Sequence, residues 1–434
     1  MRHIALPAPG DWRQFCIQAS RIHARALDLD RPLWEAYVIE GLDRLLELPR
    51  GSFALLIKIH HAAIDVEGSA ALTQLLHDTS PGPAPTQPPV PWFPEPLPGR
   101  VALVRRGLAN ALASPFRLAG PAMRALARFA PTALAVAGDI VLRPERMPVT
   151  RFNSAVSPHR VFETRRFARA DFERIRALAP GATLDDAVLA VCAGGLRRYL
   201  HANGELPPAS LTAIAPYWSR GAGESDGHGL TWMRLPLGTD LADPVARLAF
   251  IAGRTSAADT AAGALHARAL GDVGEHAPAA TLALASKMLA RAASTIGRRT
   301  PLANCTVTQL AGPTQPLYLL GARMTYYSAI MPIADGMGLV FAVTGHEDRI
   351  VISPTACREL LPDPESFAQC LRESFEECLA AARATAGPGA PLRRRQARAP
   401  TGDGSRPRPR SASTDATAPR AARGGRPPPT APAH

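Results

Sequence analysis

The amino-acid sequence predicts an α/β (α+β) fold, because strand patterns and helix patterns follow one another along most of its 434 residues. Short apolar runs such as 53–59 and 305–310 are typical of strands. Thr183, followed three residues later by Asp186, is typical of a helix start at which the two residues cap each other. A hydrophobic content of 46% over this length is enough for two or three domains with cores of their own.

Residues 1–92 are predicted to form a first α/β unit. Its predicted elements are helices at 12–26 and 68–77 and extended segments at 35–39 and 53–59. Between Pro81 and Pro98 the prolines are too dense for regular structure, and this change of composition marks the end of the unit.

Residues 93–150 are predicted to form a Pro-rich, basic, helical linker. Arginines recur among leucine, alanine and phenylalanine from 100 to 141, and Pro115 and Pro121 interrupt the pattern, which predicts short amphipathic helices. Such helices can lie on a lipid surface, but helices that connect two domains and cover a core are the more common case. The linker is therefore a candidate for peripheral contact with a membrane or lipid droplet, with the connecting role favoured.

Residues 151–386 are predicted to form a second α/β unit, and residues 387–434 a disordered basic tail. The helix that starts at Thr183 is expected to run to about Asn203, where Gly204 ends it. The other predicted strands are 211–218, 231–237, 305–310, 317–330, 338–344 and 349–353, and the other predicted helices start near 243 and span 279–296 and 363–384.

Composition and charge exclude several classes of function. The formal net charge is +12, but ten arginines lie between Pro391 and His434, in a tail without an aromatic residue, so we expect no nucleic-acid partner. The six cysteines form no Cys-x-x-Cys pattern, which predicts reduced thiols rather than disulfides or structural zinc. No signal peptide or membrane span is visible, so we expect a cytoplasmic protein, at most peripheral on the inner membrane face or on lipid inclusions.

The clearest chemical signal lies between Ile57 and Asp65, where an apolar run ends in two histidines and then an aspartate. The run predicts a buried strand whose end presents His60 and His61. Adjacent side chains of a strand point to opposite faces, so the two rings cannot easily share an ion and we expect no metal site. Taken alone, such a pattern more often reflects structural residues or chance than catalysis, and the surrounding sequence must decide.

His60, His61 and Asp65 match the His-His-x-x-x-Asp signature of the CoA-dependent acyltransferase superfamily. The surrounding sequence resembles one branch of it, the bacterial wax ester synthase/acyl-CoA:diacylglycerol acyltransferases. The further matching segments are Pro32-Leu33-Trp34, 37–42, 184–191, 307–313, 316–318, Pro332, 334–336 and 361–364. Asp185 stands where the family has asparagine, and Gln309 and Ala311 depart from its Thr-Asn-Val-Pro-Gly-Pro run. The likeness extends in the family's order from Arg2 to Ala384.

This resemblance implies two chloramphenicol-acetyltransferase-like domains, with mixed sheets flanked by helices and an active-site channel between them. It implies that His61 is the general base, supported by His60 and by Asp65, which orients the loop. The residues that it implies for substrate binding are Pro32, Leu33, Trp34, Asp186 and Gln309. Packing at the start of a strand is the favoured alternative for Pro32, Leu33 and Trp34, and helix capping is the favoured alternative for Asp186.

The implied activity is transfer of a long-chain fatty acyl group from acyl-CoA to diacylglycerol, to a fatty alcohol, or to both. Acyl-CoA is then a substrate and no cofactor is expected. Two alternatives stay open: a catalytically impaired relative that binds acyl-CoA or lipid, and an acyltransferase like the condensation domains of peptide synthesis. The Pro-Leu-Trp block counts against the second.

Two departures from the family affect the expected site. Val66 replaces the glycine expected after Asp65, and valine would be strained if the turn requires a positive φ. Family members also carry an opening segment before the part that matches Arg2, so we expect a chain that starts at Met1 to lack an edge of its first sheet.

Overall fold

The computed structural model describes a three-stranded sheet, a seven-stranded sheet, a two-stranded hairpin and helices that cover the larger sheets. The described residues are 1–42, 48–60, 63–64, 66–82, 93, 99, 101–106, 108–109, 147–218, 230–262, 303–310 and 312–386. The predicted helix at 279–296, the tail at 387–434 and most of the linker at 93–150 lie outside them.

The N-terminal part contains a three-stranded mixed sheet. β1 (Arg2–Ala5) runs parallel to β2 (Trp34–Glu40), and β2 runs antiparallel to β3 (Ala54–Ile59). Helix α1 (Trp12–Ala24) begins after Asp11, whose carboxylate accepts the backbone N–H of Gln14 at 2.8 Å. Helix α2 (Val66–Leu75) follows the segment that carries the two histidines.

The C-terminal part contains a seven-stranded mixed sheet. Its strands are β4 (Arg160–Phe162), β5 (Arg165–Ala168), β6 (Thr212–Trp218), β7 (Leu230–Pro236), β8 (Cys305–Leu310), β11 (Leu339–His346) and β12 (Arg349–Cys357), with β9 (Tyr318–Leu319) and β10 (Ala322–Arg323) forming a separate hairpin. The order is β4-β12-β11-β8-β6-β7, and β5 also pairs with β12. The central pairs β11–β8 and β8–β6 are parallel, and the other pairs are antiparallel.

Among the described residues, four helices flank this second sheet: α3 (Arg169–Arg176), α4 (Leu184–Ala202), α5 (Pro244–Ala262) and α6 (Pro364–Ala386). Helix α4 is buried along most of its length, and a Cβ atom on Gly195 would lie only 2.5 Å from the side chain of Leu371 in α6. Glycine thus allows α4 and α6 to approach closely over the main hydrophobic core, which contains Phe152, Phe341 and Phe367.

Most predicted elements are present, but the prediction of one strand over 317–330 is wrong. The segment forms only the short β9–β10 hairpin and then continues without regular structure. The chain reverses at Leu320 and Gly321, which both have positive φ (49° and 84°), so alternating apolar residues on either side of the turn cannot belong to one strand.

The short elements β1, β4, β5 and α3 were not predicted from the sequence. Each strand has three or four residues, too few for a clear alternation of apolar and polar side chains. β1 pairs through its backbone with β2 and keeps most of its side chains exposed, so its sequence carries little information about its place in the sheet.

Candidate active site

The pairing of β2 with β3 brings two of the predicted site segments together. The backbone N–H of His60 donates to the carbonyl oxygen of Leu33 at 2.9 Å, and Trp34 lies opposite Ile59 in the ladder. Pro32 contributes a tight turn before β2, since its carbonyl accepts the N–H of Trp34 at 2.7 Å. The Pro-Leu-Trp block therefore lies directly beside the first histidine of the signature.

The Pro-Leu-Trp block leads into β2, which begins at Trp34. The interpretation favoured from the sequence was that these three residues pack at the start of the strand, but two of them are exposed. Pro32 is exposed, Leu33 is half-buried and Trp34 keeps 52% of its surface exposed, and His60 beside them is also exposed. An indole left open next to the histidine segment offers an apolar surface to a ligand, because burying it would remove a large apolar area from water.

The turn after β3 leads directly into α2. The N–H of Ala63 donates to the carbonyl of His60 at 2.9 Å, and α2 begins at Val66. Val66 is the first residue of this helix. Among the residues that the structure describes, the non-glycine residues with positive φ are Leu320 and Glu347, so Val66 does not have the backbone strain that a positive φ would cause. His61, Ala62 and Asp65 lie outside the described residues, so their roles stay predictions.

Lys58 ties the histidine strand to the C-terminal end of α1. Its ammonium group donates to the carbonyl oxygens of Ile22, at 3.1 Å, and of Arg25. A positive charge at this end complements the partial negative charge of the helix terminus. Burial lowers the pKa of Lys58, although nearby Glu35 opposes the change. This contact was not predicted from the sequence, although the position of Lys58 two residues before His60, in a chain with only two lysines, was a usable signal.

His23, in the last turn of α1, is a second titratable group near this strand. Burial, followed by the positive charges of Lys58 and Arg160, lowers the pKa of His23 to about 4. Its Nδ1 is buried without a hydrogen-bond partner. The ring is thus held neutral at physiological pH, and its protonation opposes folding.

Glu163, at the end of β4, joins α1 to the C-terminal sheet. One carboxylate oxygen, Oε1, accepts the indole N–H of Trp12 at 2.8 Å, the thiol of Cys16 at 3.5 Å and the guanidinium of Arg165 at 2.9 Å. It also accepts the backbone N–H of Thr164 at 3.0 Å. The side chain is almost completely buried, so these donors replace the water that a carboxylate needs. No pattern in the sequence predicts this role.

Three hydroxyl groups next to Glu163 form further hydrogen bonds within the C-terminal part. Thr164 and Tyr326 share a hydrogen bond of 2.8 Å between their hydroxyl oxygens, and Ser353 donates to Thr164 at 3.1 Å. The ring of Tyr326 also lies 5.4 Å from that of Trp12, and burial raises the pKa of Tyr326. The two parts of Met1–Pro388, which form a single compact unit, are thus joined by buried polar groups as well as by apolar packing.

Asp186 lies in the C-terminal part and makes the contacts of a helix cap. Its Oδ2 accepts the N–H and the hydroxyl of Thr183 at 2.7 and 2.8 Å, while its Oδ1 accepts the hydroxyl of Thr255 in α5 at 2.8 Å. With 1% of its surface exposed, Asp186 ties α4 to α5. The capping predicted from the sequence is confirmed, whereas the described contacts of Asp186 include none with the histidine segment.

Gln309 lies near the end of the central strand β8, opposite Val343 of β11, and is partly buried. Three residues later, a Cβ atom on Gly312 would overlap the backbone carbonyl of Gly345. Only glycine permits this close approach, which explains why the Gln309–Pro313 segment contains it. The place of Gln309 near the thioester stays a prediction.

Two family models match this chain. The wax ester synthase/diacylglycerol acyltransferase catalytic domain matches residues 1–188, and the WS/DGAT C-terminal domain matches residues 227–378. The chain belongs to the wax ester synthase/diacylglycerol acyltransferase family. The WS/DGAT resemblance inferred from the histidine signature and its neighbouring blocks is thereby confirmed.

Relatives of this WS/DGAT chain are found in mycobacteria. A protein of Mycobacterium tuberculosis, named as a candidate diacylglycerol O-acyltransferase, is 30% identical over 386 residues, which cover 87% of this chain and 74% of that protein. A Mycobacterium bovis protein with the same description is 31% identical over 383 residues, covering 88% of this chain and 82% of that protein.

A solved structure shares the fold of this WS/DGAT chain. The wax ester synthase/diacylglycerol acyltransferase of Marinobacter aquaeolei VT8 aligns with a TM-score of 0.61 at 22% identity, over 88% of this chain and 80% of that chain. The α/β fold with mixed sheets flanked by helices is confirmed, and membership of the family shows an acyltransferase. Within the part of the chain that the structure describes, no helix has the length and apolar character to span a membrane.

Proposed function

We propose that this WS/DGAT protein transfers a long-chain fatty acyl group from acyl-CoA to diacylglycerol, to a long-chain alcohol, or to both, with His61 as the general base. The observation that supports the proposal is the position of His60, the first histidine of the signature. His60 directly follows β3, is exposed, donates its backbone N–H to Leu33 of the Pro-Leu-Trp block and lies near the exposed indole of Trp34. An imidazole and an exposed indole thus lie at the same end of the N-terminal sheet.

In the proposed reaction His61 takes the proton of the acceptor hydroxyl. A histidine has a reference pKa near 6.5, so it is largely neutral at pH 7 and can act as a base. The acceptor oxygen forms a bond to the thioester carbonyl carbon, the carbon–sulfur bond breaks, and the CoA thiolate leaves and receives the proton from His61. A positioned base of this kind contributes roughly 10²–10⁴-fold to the rate.

The remaining predicted residues support this step in the proposal. His60 and Asp65 hold the loop that presents His61, Pro32, Leu33 and Trp34 contact the acyl chain, and Gln309 lies near the thioester. Asp186 contributes through the cap that fixes α4 rather than by touching the substrate, because it is buried and bonded to Thr183 and Thr255.

The proposal requires neither a cofactor nor a covalent acyl-enzyme, since acyl-CoA and acceptor can occupy the site together. The cysteines support this view: five of the six are buried, and burial raises the pKa of the Cys305 thiol to about 12, which disfavours the nucleophilic thiolate. We further propose that the protein works in the cytoplasm, at the surface of a membrane or lipid inclusion, where water-insoluble acceptors are found.

The test is release of CoA thiol from palmitoyl-CoA in the presence of diacylglycerol or hexadecanol. His61→Ala should lower the alcohol-dependent rate at least 100-fold, because the base is lost. His201→Ala, which removes an exposed histidine at the end of α4, is the matched control and should retain wild-type activity. An undiminished rate in His61→Ala would exclude the proposed mechanism.

A further inference from the structure

An exposed leucine lies at the tip of the β9–β10 hairpin. Leu320 has 95% of its surface exposed and a φ of 49°, and Gly321 after it has a φ of 84°. Two successive positive φ values fit the tight hairpin turn that asparagine and glycine adopt most easily. Leucine at the first of these positions is disfavoured by its backbone conformation and gains no packing in return.

The hairpin is fastened to the segment that follows α2. Asp78 and Tyr318 exchange two backbone hydrogen bonds, of 2.7 and 2.8 Å, and a Cβ atom on Gly321 would lie 3.3 Å from the carbonyl oxygen of Pro81. Immediately before this segment, α2 ends in Leu75, which is 83% exposed, followed by the exposed Leu76. We name Leu75, Leu76 and Leu320 the leucine patch.

The leucine patch is connected to the histidine segment by a single helix. α2 begins at Val66, directly after the signature, and ends at Leu75. Its ten residues correspond to about 15 Å at 1.5 Å per residue. The exposed apolar residues thus lie one short helix away from the proposed base.

Arginines lie around the base of the hairpin. Arg166, Arg323 and Arg349 line a cleft of about 170 Å³ together with two acidic residues, Glu347 and Asp348. Arg323 pairs with Glu347 at 2.9 Å and Arg349 pairs with Asp348 at 3.4 Å, so the excess of one positive charge comes from Arg166. The cleft lining therefore carries more positive than negative charge, next to an apolar tip, a combination that suits the boundary between lipid headgroups and acyl chains.

We propose that the leucine patch inserts into the surface of a lipid layer, with the arginines of the cleft at the level of anionic headgroups. This inference rests on the proposed function, because diacylglycerol and long-chain alcohols are dissolved in such layers. Insertion gives Leu320 the apolar environment that the protein itself does not provide. It also brings the end of α2, and with it the histidine segment, to the source of the acceptor.

The full chain is tested by flotation with vesicles of phosphatidylcholine, phosphatidylglycerol and diolein. Leu320→Gly removes the apolar side chain and relieves the strained conformation at once. We expect it to weaken vesicle binding about tenfold, which corresponds to burial of roughly one leucine side chain. Its thermal unfolding midpoint should be equal to or higher than that of the wild type. Leu75→Ser should weaken binding to a similar extent.

Val149→Ser is the matched control, because Val149 is 68% exposed and precedes the C-terminal sheet rather than the hairpin. It should leave vesicle binding unchanged. Equal binding by wild type and Leu320→Gly would overturn the proposal, and so would an equal loss in Val149→Ser. A change of oligomeric state in Leu320→Gly with unchanged vesicle binding would assign the patch to a second copy of the chain instead.

Flotation is measured without turnover, so the result is independent of the proposed acyl transfer. CoA release from a short-chain acyl-CoA and a water-soluble alcohol, without vesicles, should be the same in Leu320→Gly and wild type. A matching loss in this soluble assay would contradict a role confined to lipid contact. If the wild type shows no turnover but its vesicle binding still depends on Leu320, the proposed function is contradicted and the proposed lipid contact is not.

Discussion

The two larger sheets in the described part of the chain are both mixed and flanked by helices, but they differ in how deeply their strands are buried. In the C-terminal sheet, β11 and β12 are buried along almost their whole length beneath a large apolar core. In the N-terminal sheet, every residue of β3 is only half-buried. The strand that precedes the histidine signature therefore belongs to the less protected sheet, which agrees with the proposal that substrate binds there.

This difference makes the placement of the N-terminal sheet depend on a few specific contacts. Its two small apolar clusters contain three buried residues each, and one of the three in the first cluster is Phe162 from the C-terminal part. Glu163 and Lys58 add polar contacts at the two ends of α1. Substitutions at these contacts should affect the N-terminal sheet first, whereas changes inside the C-terminal core should affect the whole protein.

The largest effect is expected for Glu163→Gln. The change leaves the buried guanidinium of Arg165 without its charged partner and weakens the bond from Trp12, so the free energy of unfolding should fall by about 3 kcal/mol. Hydrogen exchange should accelerate in α1 while α4 stays protected. Glu205→Gln, which affects the surface pair with Arg151, should cost under about 1 kcal/mol. An equal loss of hydrogen-exchange protection in α1 and α4 would contradict the expectation that the N-terminal sheet is affected first.

Gly312→Ala should destabilise the C-terminal sheet by about 2 kcal/mol, because the new Cβ would overlap the carbonyl oxygen of Gly345 and backbone atoms cannot rotate away. Chemical denaturation measures the loss. The same substitution at Gly253, where a Cβ meets open space within α5, should be neutral or stabilising. A neutral Gly312→Ala would show that β8 and β11 can separate more easily than their burial suggests.

His23 should make the stability of the protein sensitive to acid. Its pKa is lowered to about 4 in the fold, so between pH 6.5 and 4 the unfolded chain binds a proton that the folded chain does not. The free energy of unfolding should therefore fall by about 2 kcal/mol between pH 7 and pH 5, and His23→Phe should remove this part of the slope. The exposed His159→Gln serves as control, and an unchanged slope in His23→Phe would contradict the assignment.

The smallest effect is expected for Lys58→Met, which keeps most of the apolar stem and removes the contact with the carbonyls of Ile22 and Arg25. Loss of this helix-end charge should cost about 1 kcal/mol in chemical denaturation. Lys58→Arg keeps the charge and should retain most of the stability. If the two substitutions are equivalent, packing rather than charge holds α1 against β3.

The sequence predicted best those elements whose signals are local. The strand at 305–310 and the capped helix that follows Thr183 were located within a residue or two, because apolar runs and capping side chains act over a few positions. The segment 317–330 was misjudged because the turn at Leu320 uses a residue that rarely adopts positive φ. Its direction is set by pairing with Asp78, more than two hundred positions away in the chain.

For the site, the sequence identified the histidine signature, the Pro-Leu-Trp block and the capping role of Asp186, and through the resemblance it identified the family. It did not reveal Glu163 or the leucine patch. A single glutamate in a polar stretch, or a leucine beside a glycine, has no pattern that distinguishes it from many others.

The sequence by itself thus determined the fold class, most element boundaries and the chemical groups available for acyl transfer, because these depend on residue type and short-range spacing. The tertiary structure decided which groups meet: Leu33 with His60, Glu163 with Trp12, and the hairpin of Leu320 with the end of α2. Such contacts join residues far apart in the chain, and they form only when the sheets and helices have packed, so no local pattern contains them.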